Sequence, residues 1–310
     1  MSLGSILLAL AVTSLWGFSF VVISYAFEAF PPILLSFLRV TAASLPILVL
    51  IRPPRVPLGH FIALSLLLAV IQQVCMFVGM DLGVPGGIAS VLVQSQVFFT
   101  TALAYVVLKE RPIAIQYIGI GVAAGGMAVI AISLPSGGSL LGFVAVLGCA
   151  ASWGVSNIIF KLIKTSDLIR LLAWCHLPAI PINFALSYAM EGGPLVIDRL
   201  ISADATHYLA AIFLGLISST IGYLIWSTLM RRHSATLIAP FSLLIPIFGM
   251  TFMAVLWGEE FGTLRLIGAL GVMAGLALCV IRTRRIARAP ASELTLPEAV
   301  TMVRPVQPER

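Results

Sequence analysis

Charged residues make up only 10% of this 310-residue chain, against about a quarter in an ordinary soluble domain. With 60% apolar residues and a mean hydropathy of +1.10, that scarcity excludes water as the principal solvent. Cysteine is scarce too. Cys75, Cys149, Cys175 and Cys279 each lie inside an apolar run, at spacings that fit neither a disulfide framework nor a metal site, so they read as small packing residues. A Gly-rich phosphate loop with its lysine, a His-Glu-x-x-His pair and a Gly-x-Ser-x-Gly elbow are all missing, and with them the signatures of nucleotide, zinc-hydrolase and serine-hydrolase chemistry. The chain is not read as an enzyme, and no cofactor or metal is implied. The first apolar run, Leu3 to Tyr25, has no positive segment before it and has the length of a span, not of a cleaved leader.

Long apolar runs are abundant. A bilayer core takes roughly 20 apolar residues as helix, and ten runs qualify: 3–25, 32–51, 59–80, 86–108, 112–134, 140–163, 168–190, 206–230, 235–257 and 262–282. Helices are required, because lipid offers backbone groups no partner. Fifteen of the eighteen basic residues fall in the connectors after the even-numbered spans or in the C-terminal tail, leaving Arg199 and Arg265 on the opposite side and Arg39 within a span. The positive-inside rule then places both termini in the cytoplasm. The net charge of +6 is thereby a topology signal, and no nucleic-acid partner is expected.

The first half recurs in the second. Trp16-Gly17-Phe18-Ser19 matches Trp153-Gly154-Val155-Ser156 at an offset of 137, which also pairs Arg39 with His176. Later the offset is 149, pairing Glu110 with Glu259, Gly119 with Gly268 and Gly126 with Gly275; the longer connector around Glu191–Ala205 accounts for the difference. A unit with an odd number of spans re-enters the membrane upside down, and sites in such proteins lie near the midplane between the halves. The expected fold is an all-α membrane protein of ten transmembrane helices in two inverted five-helix repeats, 1–136 and 137–288, with a disordered cytoplasmic tail at 289–310.

At these residues the sequence resembles the EamA-type carriers of the drug/metabolite transporter superfamily, over roughly residues 3–282. The carrying features are the Trp-Gly pair in spans one and six, the basic residue in span two, and Glu110/Gly119 with Glu259/Gly268. The resemblance implies a carrier of small metabolites, often an exporter of amino acids, with a central cavity lined by spans one to four and six to nine. Two positions depart from the pattern: Lys109 precedes Glu110 where Gly258 precedes Glu259, and Val97 stands where span nine keeps Pro246.

Arg39 is the least expected residue, since a charge near a span centre costs about 2.5 kcal/mol or more and no carboxylate lies mid-span. It has three readings: snorkelling toward headgroups or Glu28, roughly 10 Å along the helix; bonding backbone carbonyls at a helix end; or meeting a substrate carboxylate in a wet cavity. His176 is either a packed neutral histidine or a titratable group on a water path. Trp16 with Ser19, and Trp153 with Asn157, are packing residues or aromatic walls with a polar partner. Gln72, Gln73, Gln94 and Gln96 are interhelical glue or a polar patch in the cavity, faced by Ser219 and Tyr223. Pro46, Pro178, Pro181, Pro240 and Pro246 predict kinks in spans two, seven and nine. Gly121 and Gly125, with Gly271 and Gly275, predict close packing of spans five and ten, within the chain or between protomers.

The function expected is secondary transport of small amphiphilic metabolites, amino acids first, exported by alternating access through a midplane cavity in the inner (plasma) membrane. Multidrug export is the second reading; an intramembrane enzyme or a receptor comes from other classes. Expected partners are a small metabolite and the bilayer, and the chain is read as a monomer or weak homodimer.

Overall fold

The computed structural model describes residues 1–50, 53–109, 113–134, 138–163, 168–233 and 235–281. Glu110, several connector basic residues (Arg52, Arg111 and Lys164), the boundary at 136–137 and the tail at 289–310 lie outside the described residues. Within them every regular element is helical. Among the described residues eight helices are long and apolar enough to cross a membrane, and two shorter apolar ones cover Pro32–Ser44 and Thr263–Cys279. In chain order the helices are α1 (Leu3–Ala26), α2 (Pro32–Leu50), α3 (Leu58–Asp81), α4 (Gly86–Leu108), α5 (Ala114–Ser133), α6 (Gly138–Ile163), α7 (Arg170–Ser202), α8 (Ala205–Arg232), α9 (Pro240–Trp257) and α10 (Thr263–Ile281).

Glycines set the closest crossings. A Cβ added at Gly17 would sit 2.6 Å from Phe248 Cβ and 2.8 Å from the Gly249 nitrogen, so α1 lies directly on α9. A Cβ at Gly154 would meet Phe99 Cβ at 2.6 Å and the Thr100 nitrogen at 3.1 Å, which puts α6 on α4 in the same manner. The glycine of each Trp-Gly pair is thus the point where another backbone passes, and the tryptophan beside it is free to turn inward. Helices α5 and α10 touch through Gly119 against the Gly275 carbonyl, at 2.7 Å from an added Cβ, and through Gly126 against the Gly268 carbonyl, at 2.6 Å. Gly121 and Gly125, expected to pack, have nothing within 4 Å: they lie on the opposite face of α5, and the interior stripe is Gly119, Ala123, Gly126 and Ile130.

Several helices are irregular where proline does not explain it. Helix α3 widens into a π turn at Ser65–Ile71 and α8 at Phe213–Ile221. Helix α4 breaks between its segments Gly86–Val93 and Gln96–Leu108 without a proline, and α9 opens on a 3-10 turn, Ala239–Leu243, that contains Pro240. Helix α7 breaks after Cys175, at Pro178, as expected, whereas α2 runs unbroken through position 46. The stretch read as a long connector after span seven is largely helical, Gly193–Ser202, reached through a π turn at Tyr188–Gly192.

Helix ends are held in two ways. Glu191 accepts the Ile33 and Leu34 N–H groups at 2.6 and 2.9 Å and the Ser187 hydroxyl at 2.7 Å. A carboxylate on first-turn amides is the favoured partner for a helix N-terminus, so this contact moors α2 to α7. At the other kind of end, Lys109 closes α4 at φ 57° and Gly258 closes α9 at φ 71°. Both helices therefore end on a left-handed residue, although only Gly258 adopts it without a Cβ penalty.

The glycine contacts predict a sharp contrast. Gly126→Leu collides with backbone atoms of α10 and is expected to lower stability by about 2–4 kcal/mol, while Gly125→Leu stays within about 0.5 kcal/mol; thermal unfolding of the purified protein distinguishes the two.

Candidate functional site

A cavity of about 140 Å3 lies at the centre of the helices. One wall is aromatic. Trp16 of α1 and Tyr223 of α8 have ring centroids 5.5 Å apart, and Tyr223 stacks on Trp153 of α6 at 5.8 Å and 22°. The π turn in α8 fixes this wall. In a regular α-helix the Gly222 amide would take the Ser218 carbonyl; here it bonds the Ile217 and Ser219 carbonyls. The Ser218 carbonyl instead accepts the Trp16 Nε1–H at 3.0 Å. Ser19 and Ser218 share a hydroxyl hydrogen bond of 2.7 Å just beside it.

Arg39 of α2 lines the same cavity. Its Nε and Nη2 donate to Ser219 Oγ at 3.2 and 3.0 Å, and Ser219 in turn donates to the Leu214 carbonyl at 2.9 Å. The guanidinium carbon stands 5.6 Å from the Phe77 ring centroid, a distance at which the ring face attracts a cation. Among the described residues no carboxylate lies within ion-pair distance of Arg39. Glu28 instead faces His207, at 3.9 Å. Neither snorkelling to Glu28 nor capping of a helix end is what the structure holds: a serine hydroxyl and an aromatic face position the cation at the cavity wall.

The polar side of the cavity comes from α3 and α4. Gln73 Nε2 donates to Gln72 Oε1 at 3.2 Å, and both line the cavity. Gln94 sits at the break in α4, and its Nε2 donates to the Ser242 carbonyl of the α9 turn at 2.9 Å. The two interrupted helices meet there. Gln96, which opens the second segment of α4, has its Oε1 buried with no hydrogen-bond partner.

Nine of the twelve expected residues line this one cavity: Trp16, Ser19, Arg39, Gln72, Gln73, Gln94, Gln96, Trp153 and Tyr223. Three do not. Asn157 donates to Thr100 Oγ1 at 3.0 Å and ties α6 to α4. His176 lies at the α7 break, 8% exposed, with its Nδ1 donating to the Leu172 carbonyl at 2.8 Å. Ser219 stands behind Arg39 as its anchor. Apolar residues that sequence reasoning missed, among them Phe20, Ile23, Met76 and Ile245, complete the walls. Cys149, read as packing, also lines the cavity, one turn before Trp153. The signal was present in α1, where Trp16, Ser19, Phe20 and Ile23 follow the i, i+3, i+4, i+7 stripe of one helix face.

The arrangement contains no metal cluster among the described residues; what it offers is a cation, amides and rings around a small space inside a bundle of apolar helices. A small cavity enclosed between helices is where bundles commonly hold a small solute. The chain belongs to the EamA-like transporter family, whose model matches residues 3–132 and 140–281. It is a multi-pass transporter of the inner membrane and not an enzyme. A probable amino-acid metabolite efflux pump of Salmonella typhimurium (strain LT2) is 35% identical over 290 residues, covering 91% of this chain and 97% of the relative. A protein of the same name from Escherichia coli (strain K12) is 33% identical over 284 residues, covering 89% and 95%. A solved crystal structure shares the fold at a TM-score of 0.64 and 17% identity, over 92% of this chain and 99% of that one.

Removing the anchor tests the site's construction. Ser219→Ala is expected to destabilise the protein by about 2 kcal/mol, because it leaves a charged donor buried without its acceptor; Ser219→Thr, which keeps a hydroxyl, should recover most of the loss in a thermal unfolding assay.

Proposed function

We propose that this protein exports small carboxylate-bearing metabolites, amino acids among them, by alternating access through the central cavity. The observation that carries the reading is Arg39: a cation lining a cavity, anchored by Ser219 and Phe77, with no carboxylate paired to it among the described residues. An uncompensated charge inside a membrane is expensive, and a solute carboxylate is the partner that neutralises it and forms charge-assisted hydrogen bonds. The aromatic wall of Trp16, Tyr223 and Trp153 then faces the solute's apolar part. The names of the efflux pumps from Salmonella typhimurium and Escherichia coli support export of amino-acid metabolites.

The transport cycle rests on two inverted five-helix halves, 1–136 and 137–288, with both termini in the cytoplasm. Symmetric contacts support the pairing. In the repeat alignment Gly119 corresponds to Gly268 and Gly126 to Gly275, and the contacts are crossed, Gly119 with Gly275 and Gly126 with Gly268. Crossed partners are what a twofold axis between α5 and α10 requires. The Gly17 and Phe248 crossing maps onto Gly154 and Phe99 by the same two offsets. The π turns at Ser65–Ile71 and Phe213–Ile221 also fall at matching positions. Halves built alike and set head to tail open to opposite faces in turn.

Counterflow of labelled amino acids in proteoliposomes tests this. Arg39→Ala is expected to reduce exchange at least about tenfold, the loss of a charge-assisted bond, with normal membrane insertion. Trp153→Ala should raise the half-saturating concentration severalfold. Unchanged exchange in Arg39→Ala removes the carboxylate role, and a wild-type protein that exchanges no metabolite removes the carrier reading.

A further inference from the structure

Beside the central cavity lies a larger hollow of about 490 Å3, bordered by the ends of α1, α3 and α9 and the start of α4. Ser24 and Met80 of this hollow follow Ile23 and Met76 of the central cavity by one residue and by one helical turn. The hollow therefore lies beyond the central cavity toward one face of the bundle, the outer face in the orientation proposed above.

Glu259 stands at its mouth, in the connector after α9. One carboxylate oxygen, Oε2, accepts the Gly87 N–H at 3.1 Å. Gly87 is in the first turn of α4, where amides have no partner inside the helix. The other oxygen, Oε1, is buried and has no hydrogen-bond partner among the described residues. An ionised oxygen in that position is costly, and the cost disappears in one of two ways: a proton on the carboxyl, or water admitted by opening the mouth. Burial accordingly pushes the Glu259 carboxyl above the usual carboxylate range, against the Gly87 and Gly86 amides and the Arg265 guanidinium of α10, which pull it down. The other charged groups at this mouth are Asp81 of α3, which lines the hollow, and Glu260 beside it in the connector; α1 presents Ser24 and Phe27.

We propose that Glu259 is a proton-binding site that sets the outer mouth: proton uptake from the outer solution lets the carboxyl remain buried against α4 and closes the mouth, and proton release opens it. The proton moves between external water and the carboxyl, and no other bond changes. The sign follows from linkage. The closed form holds its proton more tightly than a carboxyl in open water, so the closed population grows as pH falls through the raised value and shrinks above it. The inference rests on the carrier reading only for its orientation. It also separates Glu259 from two other titratable residues: His176 lies outside both hollows, and Glu28 is turned to His207.

Amide hydrogen exchange on the full-length protein in lipid nanodiscs, read on peptides covering the first turn of α4, tests the proposal without any solute. After correction for intrinsic exchange, wild-type protection should rise at least about threefold between about pH 8 and about pH 5. E259Q keeps an acceptor for the Gly87 amide but cannot ionise, and should be highly protected at both values. E259A removes the acceptor and should be poorly protected at both, while D81N should keep the wild-type profile. Wild-type protection that falls on acidification, a wild-type pH response persisting in E259Q, or its loss in D81N overturns the assignment. Such a failure leaves the carrier reading standing, since counterflow is a separate measurement.

Discussion

In hydrocarbon every backbone amide and carbonyl must find its partner inside the protein, and this chain breaks its helices repeatedly where they face one another. Four of these irregularities are answered by side chains from neighbouring helices. Ser152 and Asn183 donate to the Leu67 and Ala69 carbonyls of the α3 π turn, at 2.7 and 2.8 Å. Ser65 donates to the Cys175 carbonyl at the α7 break, at 2.6 Å. Trp16 takes the Ser218 carbonyl of the α8 π turn, and Gln94 takes the Ser242 carbonyl of the α9 turn. These hydroxyls, amides and the indole are therefore committed to irregular backbone inside the bundle.

The same constraint explains why a charge is tolerated at the centre. Arg39 leans on Ser219, whose hydroxyl is held by the π turn through the Leu214 carbonyl. Thr220 adds a bond to the Ala43 carbonyl of α2 at 3.1 Å, and a Cβ on Gly215 would strike the Arg39 backbone. Helix α2 is thus docked on the π turn of α8 through the hydroxyls of Ser219 and Thr220. Glu191 fixes the same helix at its N-terminus. An arginine in that setting is positioned by contacts at the N-terminus and at the middle of its helix, while its charge is left for the cavity.

Close approach is what makes the cavity small enough to matter. Where Gly17 and Gly154 admit the backbones of α9 and α4, the tryptophans next to them are carried inward and share Tyr223 between them. Packing, polar satisfaction and the cavity's lining are consequences of the same short motifs, which is why the Trp-Gly pair is informative at the level of the site as well as the fold.

Apolar run length and its interruption by charged connectors determined the helical membrane architecture from sequence alone, because only a backbone that satisfies itself crosses lipid. Residue type did much of the rest for the amides and the cation of the cavity, which have no stable place facing lipid tails, while Trp16 and Trp153 stood out because the Trp-Gly pair recurs. The tertiary structure decided what residue type leaves open. Gly126 and Gly125 are chemically identical, and only the direction of α10 separates packed from exposed. Ser218 and Ser219 are adjacent serines, and the packing of α1 and α2 around α8 gives the first to the cavity and the second to Arg39. A break without proline at Gln94 and a partnerless oxygen on Glu259 arise from contacts between helices far apart in the chain, and such contacts have no local signature for a sequence to display.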